Sequence, residues 1–240
     1  MKYMGSKARI AKHILPIILK DRKDGQWYVE PFVGGANVID KVNGNRIGAD
    51  SNKYLIALLQ GLQVGWRPDI EPTKENYDKV RENKCEYSDR VVGYFGFLFS
   101  FGAKFFGGFV ETKSTRDRVG ESIRNGEKTG KSIKGITFTC GSYNKLTYPR
   151  DSIIYCDPPY AGTTKYKDNF DHDKFWEWCR DKVKEGHQVF ISEYNAPDDF
   201  VCVWQQDLNV TIARNGKPKK ATEKLFVHKS QFVTPITDAS

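Results

Sequence analysis

The stretch Ser152 to Tyr166, SIIYCDPPYAGTTKY, places a carboxylate, two prolines and an aromatic ring directly after an apolar run. Pro158 lacks an N–H group but keeps its carbonyl, so Asp157 and that carbonyl form two neighbouring hydrogen-bond acceptors. Pro159 stiffens the turn, and Tyr160 offers a flat surface for stacking. Two acceptors beside a ring suit an amino group on a planar heterocycle. The alternative is a proline pair that only terminates a strand.

Adenine is one such heterocycle. Its amino group is a poor nucleophile because the nitrogen lone pair is delocalised into the ring. Accepting both N–H bonds would favour a pyramidal nitrogen and localise that lone pair. Stacking on Tyr160 would contribute about 1–3 kcal/mol, and positioning would bring the nitrogen to an electrophilic carbon.

Two other predicted strands also end in carboxylates, at Glu30 and Asp50. Ligands of open parallel sheets lie beyond the carboxyl ends of the strands, so three such residues predict a shared site. After Glu30, Gly34 and Gly35 predict a close backbone approach to a ligand and the start of a helix whose N-terminus points at it. Asp50 could bind a ribose. A nicotinamide or ATP site is not favoured, because neither a G-x-G-x-x-G fingerprint nor a P-loop is present.

The elements that position these residues alternate along the chain. The patterns predict helices over 6–21, 51–63 and 172–186 and strands over 27–32, 46–50, 152–157 and 187–193, with a C-terminal antiparallel hairpin over 200–206 and 222–230. Ser51 or Asn52 is the expected N-cap of the second helix. The alternation predicts one α/β domain with a mostly parallel sheet. It comprises residues 1–64 and 137–240, and the mainly helical residues 65–136, here called the recognition insert, interrupt it.

Net charge is +8, and much of the excess lies in one part of the chain. Residues 104–150 contain ten Lys or Arg against four Asp or Glu, a net of +6. Such a basic zone is typical of proteins that bind a phosphate backbone, although a solvated basic surface is the alternative. Five unpaired cysteines and four scattered histidines favour free thiols and no metal site. No apolar run is long enough to predict a membrane span, so we expect a soluble cytoplasmic protein.

In order, these motifs resemble the DNA adenine N6-methyltransferases of the Dam type. Residues 2–7, KYMGSK, resemble the family's N-terminal motif, and residues 29–35, VEPFVGG, its methionine-binding loop. Residues 48–52, GADSN, resemble the strand end that holds the cofactor ribose, and 137–143, TFTCGSY, the segment before the catalytic strand. Asp157 to Tyr160 match the catalytic signature, and 191–195, ISEYN, resemble the strand that flanks the target base.

The resemblance implies a Rossmann-like methyltransferase domain and S-adenosylmethionine as the cofactor. It implies that Asp157, Pro158, Pro159 and Tyr160 are catalytic. It further implies a set of cofactor-binding residues: Tyr3, Lys7, Glu30, Pro31, Phe32, Gly34, Gly35, Asp50, Ser51, Phe138 and Asp157. Ala36 and Asn37 depart from the family, which often has a glycine and a serine there, so cofactor affinity could differ.

The recognition insert does not show the family's sequence-reading hairpin motif. Its segment Phe95 to Phe109, FGFLFSFGAKFFGGF, predicts a hydrophobic core; the alternative is a loop whose aromatic ring wedges into the base stack. Candidate DNA contacts are the basic residues Lys104, Arg116, Arg118, Arg124, Lys128, Arg214 and Lys217. The last two belong to a second basic loop, residues 213–224.

The sequence therefore predicts a site-specific enzyme that methylates adenine N6 in double-stranded DNA by base flipping and direct in-line attack. Cytosine N4 or a base in RNA is an alternative acceptor, and a non-catalytic DNA-binding protein is an alternative of another class. We expect a monomer in solution, with two copies on a palindromic site as the other possibility. The compact insert favours a phage or prophage origin, and a restriction–modification context is compatible with the resemblance.

Overall fold

A computed structural model describes residues 1–110, 117–160, 170–210 and 219–232. Its helices are α1 Ala11–Ile18, α2 Lys53–Gln63, α3 Lys74–Glu82, α4 Asp89–Gly93, α5 Arg118–Ser132 and α6 His172–Lys184. Its strands are β1 Tyr28–Glu30, β2 Arg46–Asp50, β3 Thr137–Cys140, β4 Ile153–Cys156, β5 Gln188–Glu193, β6 Phe200–Val210 and β7 Lys219–His228. The predicted α/β class is confirmed, because helices and strands alternate and three strand pairs are parallel.

The chain divides into two compact units. The first comprises Met1–Lys12 and Pro31–Leu146, and the second comprises His13–Glu30 and Thr147–Ser240. The bounds of the recognition insert, 65–136, stay a prediction.

The second unit is built on five strands in the order β1-β4-β5-β7-β6. The β1–β4 and β4–β5 pairs are parallel, and β7 pairs antiparallel with both β5 and β6. Every residue of β4 is buried, as expected for a strand covered on both faces. The antiparallel hairpin expected at the C-terminal end is confirmed by the β6–β7 register from Phe200↔His228 to Val210↔Lys219. The parallel ends of β1, β4 and β5 therefore share one edge.

In the first unit, β2 and β3 pair in parallel, with Gly48 opposite Phe138 and Asp50 opposite Cys140. Helix α2 begins directly after β2. Asn52 caps it, because its side-chain oxygen accepts from the backbone N–H groups of Tyr54 and Leu55. Five large apolar residues of α2 are buried: Leu55, Ile56, Leu58, Leu59 and Leu62. The cap thus fixes the connection that leaves Asp50 at the strand end.

The recognition insert contributes α3, α4 and α5 and a π-helical turn over Tyr94–Leu98 to the first unit. Phe95, Phe97 and Phe99 are buried, which agrees with the core interpretation of this phenylalanine-rich segment. Phe101 differs from them, because its side chain is 65% exposed.

Two local predictions were wrong. The loop that contains Gly34 and Gly35, here called the glycine loop, does not start an α-helix. After it, residues Ile39–Lys41 form a single 3-10 turn. Gly34 and Ala36 have φ values of 48° and 55°, and left-handed backbone at alternating positions cannot propagate a right-handed helix. The N-terminal helix is also shorter than expected, because a 3-10 turn over Lys7–Arg9 precedes α1.

None of the described helices is long and apolar enough to span a membrane. Across the described ranges, no group of three or more His, Cys, Asp and Glu side chains is placed to hold a metal ion.

Candidate active site

The glycine loop of the first unit is held between β2 and the N-terminal segment. The N–H of Val33 donates to the Ala49 carbonyl at 2.8 Å. At Gly35, a Cβ atom would lie 2.5 Å from Cβ of Tyr3 and 2.6 Å from Nδ2 of Asn37. Only glycine fits there, and what approaches the loop backbone is the Tyr3 side chain. The structure therefore brings the predicted Tyr3 and Gly35 into contact.

Asp50 connects this loop with the start of α2. Its Oδ2 accepts from the N–H of Gly34 at 3.3 Å, and its Oδ1 accepts from the N–H of Asn52 at 2.9 Å. Burial raises the pKa of Asp50, and the two backbone hydrogen bonds offset part of that rise. The neighbouring Ser51 is exposed. Each carboxylate oxygen retains acceptor capacity beyond these two bonds, which a hydroxyl donor could use.

Aromatic residues lie around the same strand ends. Phe138 is 7% exposed, and its ring packs closely against Gly48. A Cβ atom on Gly48 would lie 2.9 Å from Cε1 of Phe138. The rings of Phe32 and Tyr143 lie 5.3 Å apart. Pro31, at the start of the loop, is buried.

The first unit fits a ligand with an adenosine part and an amino acid part. Nδ2 of Asn37 is buried and has no hydrogen-bond partner among the described residues, so a carboxylate could accept from it. Lys7 is a buried cation at 9% exposure. Asp50 suits ribose hydroxyls, and Phe138 suits the face of a purine. This donor set matches S-adenosylmethionine, although Asn37 departs from the family pattern.

The Asp157–Tyr160 segment belongs to the second unit and directly follows β4. Cys156 stands opposite Ile191 of β5, so Asp157 leaves the sheet at the edge where β5 ends. Asp157 is half-buried and Pro158 is buried. The Tyr160 hydroxyl donates to Oε2 of Glu223 on β7 at 2.8 Å. The structure thus holds the predicted ring through a strand that the prediction did not assign to the site.

Carboxylates and tyrosines alternate around this edge. The Tyr28 hydroxyl donates to Oε1 of Glu30 at 2.8 Å, and the hydroxyls of Tyr155 and Ser192 are also 2.8 Å apart. Burial, followed by the negative charge of neighbouring carboxylates, raises the pKa of Tyr28, Tyr155 and Tyr160 well above the usual value. These hydroxyls therefore stay protonated at neutral pH and remain available as donors.

Two residues beside the predicted ones, one in each unit, were not predicted. Glu223 holds Tyr160, and Asn37 carries the buried amide beside the glycine loop. A signal for Glu223 exists in the sequence: it continues the alternating row that holds the buried Leu225 and Val227, where a carboxylate is unexpected.

Of the seven basic residues predicted to contact DNA, four lie in the part of the chain that the structure describes and three do not. Lys104, Arg118, Arg124 and Lys128 are all exposed. The last three lie on α5, where Nη1 of Arg124 is 3.5 Å from Asp117 Oδ2. Arg116, Arg214 and Lys217 lie outside the described residues.

Comparisons with known proteins find the same family as the motifs. The family model described as "D12 class N6 adenine-specific DNA methyltransferase" matches residues 3–98. The chain is 26% identical over 264 residues to a "DNA adenine methylase" of Vibrio cholerae serotype O1, covering 94% of both chains. It is 27% identical over 207 residues to "Type II methyltransferase M.FokI" of Planomicrobium okeanokoites, covering 75% of this chain and 31% of that protein.

Among solved structures, the crystal structure of SMU.472 complexed with SAH matches with a TM-score of 0.39 and 13% identity. That alignment covers 95% of this chain, and the chain spans only 55% of the length of the other. The match to the family model over residues 3–98, together with a likeness to a DNA adenine methylase along nearly the whole chain, agrees with the resemblance predicted from the motifs: the chain is similar to the D12 class N6 adenine-specific DNA methyltransferases.

Proposed function

We propose that the protein methylates N6 of adenine at specific sites in double-stranded DNA, after flipping the base out of the helix. The observation that carries this proposal is the placement of Asp157 to Tyr160 at the carboxyl end of the buried strand β4, with the ring of Tyr160 held by Glu223. The similarity of residues 3–98 to the adenine-specific family supports the choice of base.

Asp157 and the carbonyl of Pro158 are the acceptors for the two N–H bonds of the amino group. Two directed acceptors favour a pyramidal nitrogen, which makes the lone pair available for attack. Tyr160 stacks on the base, which both attracts the base and restricts its rotation. Replacing Asp157 removes one of the two acceptors and the negative charge that stabilises the cationic amino group as it forms.

The base must leave the duplex to reach these acceptors. Pro158 is buried and Asp157 is half-buried, and a base edge inside a stacked helix cannot approach groups so recessed. Extruding a base costs a few kcal/mol, part of which stacking on Tyr160 would offset.

The cofactor residues proposed in the first unit have distinct roles. Asp50 binds the ribose hydroxyls, Lys7 and Asn37 bind the carboxylate of the methionine part, and Phe138 contacts the adenine. Bound S-adenosylmethionine would supply a methyl group on a positively charged sulfur. We propose that N6 would take this methyl group directly and in line as the carbon–sulfur bond breaks, that the sulfur would leave as a neutral thioether and that N6 would then release one proton, without a covalent protein intermediate. The glycine loop helps to position Asp50 for the ribose, because Asp50 accepts from the N–H of Gly34.

The recognition insert supplies the DNA surface in this proposal. Arg118, Arg124 and Lys128 on α5 bind phosphates, which position the duplex and make affinity salt-dependent. Phe101 is the candidate wedge for the base stack, since it is 65% exposed beside the exposed Lys104. Its turn is anchored by a relay in which Gly108 N–H donates to the Tyr77 hydroxyl, which bonds Ser100. An anchored turn presents the ring without a large ordering cost.

A methyl-transfer assay tests the proposal. Purified protein is incubated with tritiated S-adenosylmethionine and mixed-sequence duplex DNA, and the product is digested to nucleosides. We expect label in N6-methyladenine, and a loss of at least about a hundredfold in kcat for Asp157→Ala. Asp198→Ala is the matched control, because Asp198 is an exposed aspartate of the same unit and should leave the rate unchanged.

The alternatives predict different products. Label in N4-methylcytosine would move the acceptor, and label only with an RNA substrate would change the nucleic acid. DNA binding without any label would favour a non-catalytic binding protein. An Asp157→Ala variant as active as the wild-type protein would overturn the proposed chemistry.

A further inference from the structure

The hydroxyl of Tyr160 is bonded to a residue that lies far away in the sequence. Tyr160 follows β4, and Glu223 belongs to β7, 63 positions further along. Their hydrogen bond is 2.8 Å long and partly buried. A hydrogen bond to a charged group is stronger than one between neutral groups, and more so when it is shielded from water. It is therefore strong enough to select one orientation of the ring.

The ring is also supported from the side. Tyr194, directly after β5, packs edge-on against Tyr160, with ring centroids 4.6 Å apart and an interplanar angle of 85°. Edge-on packing of two aromatic rings is favourable, and it restrains the tilt of both rings. Tyr194 limits the rotation of the ring, and the bond to Glu223 fixes where its hydroxyl end lies.

The placement of Glu223 makes this contact part of the sheet. Side chains alternate along a strand, so Glu223 shares a face with Leu225 and Val227, which are 0% and 3% exposed. Lys224, the next residue, pairs with Glu193 at the end of β5. The carboxylate thus stands at the end of a buried apolar row, on backbone that two neighbouring strands hold.

In the hydrogen bond between Tyr160 and Glu223, the phenol is the donor and the carboxylate is the acceptor. The pKa of Tyr160 is raised by burial and by the charges of Asp157 and Glu223, so the phenol stays protonated and donates. An ionised carboxylate can only accept. A glutamine would still offer an amide oxygen as acceptor, whereas an alanine would offer none.

We propose that Glu223 is a positioning residue, which holds the Tyr160 ring in the orientation that stacks on the flipped base. This inference rests on the proposed function of Tyr160. Glu223 acts through that ring and touches neither the base nor the methyl donor. Losing it releases the ring, so the flipped base is bound in more orientations and fewer of them place the amino group correctly.

The test uses the whole chain and five substitutions, one of which, Tyr160→Ala, removes the ring itself. Tyr160→Phe and Glu223→Ala each remove the bond, and Glu223→Gln keeps an acceptor. Asp207→Ala is the control, since it removes another carboxylate of the β6–β7 hairpin, one that accepts from Thr222 at 2.7 Å. Thermal unfolding and calorimetry with S-adenosylmethionine establish that each variant is folded.

We expect Tyr160→Phe and Glu223→Ala each to lower kcat about tenfold, which corresponds to about 1.4 kcal/mol. KM for S-adenosylmethionine should change less than about twofold, because the ring binds the base and not the cofactor. The double variant should lose no more than either single variant, because both remove the same bond. Glu223→Gln should stay within about threefold of the wild-type protein, and Asp207→Ala should match it.

A second readout reports the base itself. Once the methylated sequence has been mapped on plasmid DNA, a duplex with 2-aminopurine at the target position reports stacking of the flipped base. Fluorescence of the complex should be higher with Glu223→Ala than with the wild-type protein, because an unstacked base is less quenched. A variant that only destabilises the fold would not change this signal at saturating protein.

Two results would overturn the inference. One is a Tyr160→Phe/Glu223→Ala variant whose loss is the product of the single losses. The other is full activity in Tyr160→Phe and Glu223→Ala while Tyr160→Ala is inactive, because the ring would then work without the bond. Failure of the proposed function looks different: Asp157→Ala would then still label adenine.

Discussion

Helix α5 carries two glycines on one face, and they offer a sharp test of how the recognition insert is held. Gly126 and Gly130 are four residues apart and both buried. A Cβ atom on Gly130 would lie 2.1 Å from the carbonyl oxygen of Leu62, at the end of α2. On Gly126 it would lie 3.2 Å from Cδ1 of Leu98. One substitution would therefore meet backbone and the other a flexible side chain.

Gly130→Ala should therefore destabilise the protein while Gly126→Ala does not. Carbon–oxygen contacts are comfortable from about 3.3 Å, so α5 and the end of α2 would have to separate by about 1 Å. Such overpacking costs about 1–3 kcal/mol. Both substitutions gain up to about 1 kcal/mol of helix propensity, which cancels in the comparison. We therefore expect Gly130→Ala to be less stable than Gly126→Ala by about 1–3 kcal/mol.

Urea unfolding followed by circular dichroism measures this difference. With similar m values, it appears as a lower midpoint for Gly130→Ala. Equal midpoints, or a higher midpoint for Gly130→Ala, would refute the close packing of α5 against the end of α2.

The remaining predictions concern a buried relay, the DNA surface and pH. Tyr77→Phe should cost about 1–2 kcal/mol of stability in urea unfolding, because it interrupts the hydroxyl relay of the 100–109 turn; an unchanged midpoint would contradict the relay. Arg124→Ala and Lys128→Ala should each weaken binding to all duplex sequences and reduce the slope of log K against log salt by about 1; an unchanged slope in fluorescence anisotropy would exclude a phosphate contact. Arg180 donates to both oxygens of Asp199, at 2.6 and 2.9 Å, and this bond lowers the pKa of Asp199. The resulting stability is present above the unfolded pKa and lost as pH falls through the lowered one. Asp199→Asn should therefore cost about 0.5–1 kcal/mol at pH 7 for this part-exposed pair, and the difference should shrink as the pH falls below about 4, the unfolded value, and vanish only below the lowered pKa; a constant difference in thermal unfolding across that range would be the contrary result.

Local patterns predicted the elements whose signals are complete within a short window. Helix α2 has both an apolar face and the Asn52 cap, and β4 has an uninterrupted apolar run, so both were predicted with small errors at their ends. The glycine loop was misjudged, because its left-handed residue Ala36 is not a glycine and nothing in the local pattern indicates a positive φ there. The Phe95 to Phe109 segment was predicted to be core. Phe101 departs from that prediction, because its side chain is 65% exposed.

The sequence by itself determined the chemistry that this protein presents. Asp157 to Tyr160 form a contiguous motif, and proline, carboxylate and aromatic groups keep their properties wherever the motif is placed. Only the tertiary structure decided which distant residues complete it. Glu223 reaches Tyr160 across 63 positions because β7 pairs with β5, which pairs with β4. Tyr3 can contact the backbone of Gly35 because glycine has no Cβ atom, which would otherwise lie too close to the Tyr3 side chain. Such contacts depend on strand order and register, which involve many residues at once and leave little trace at either position.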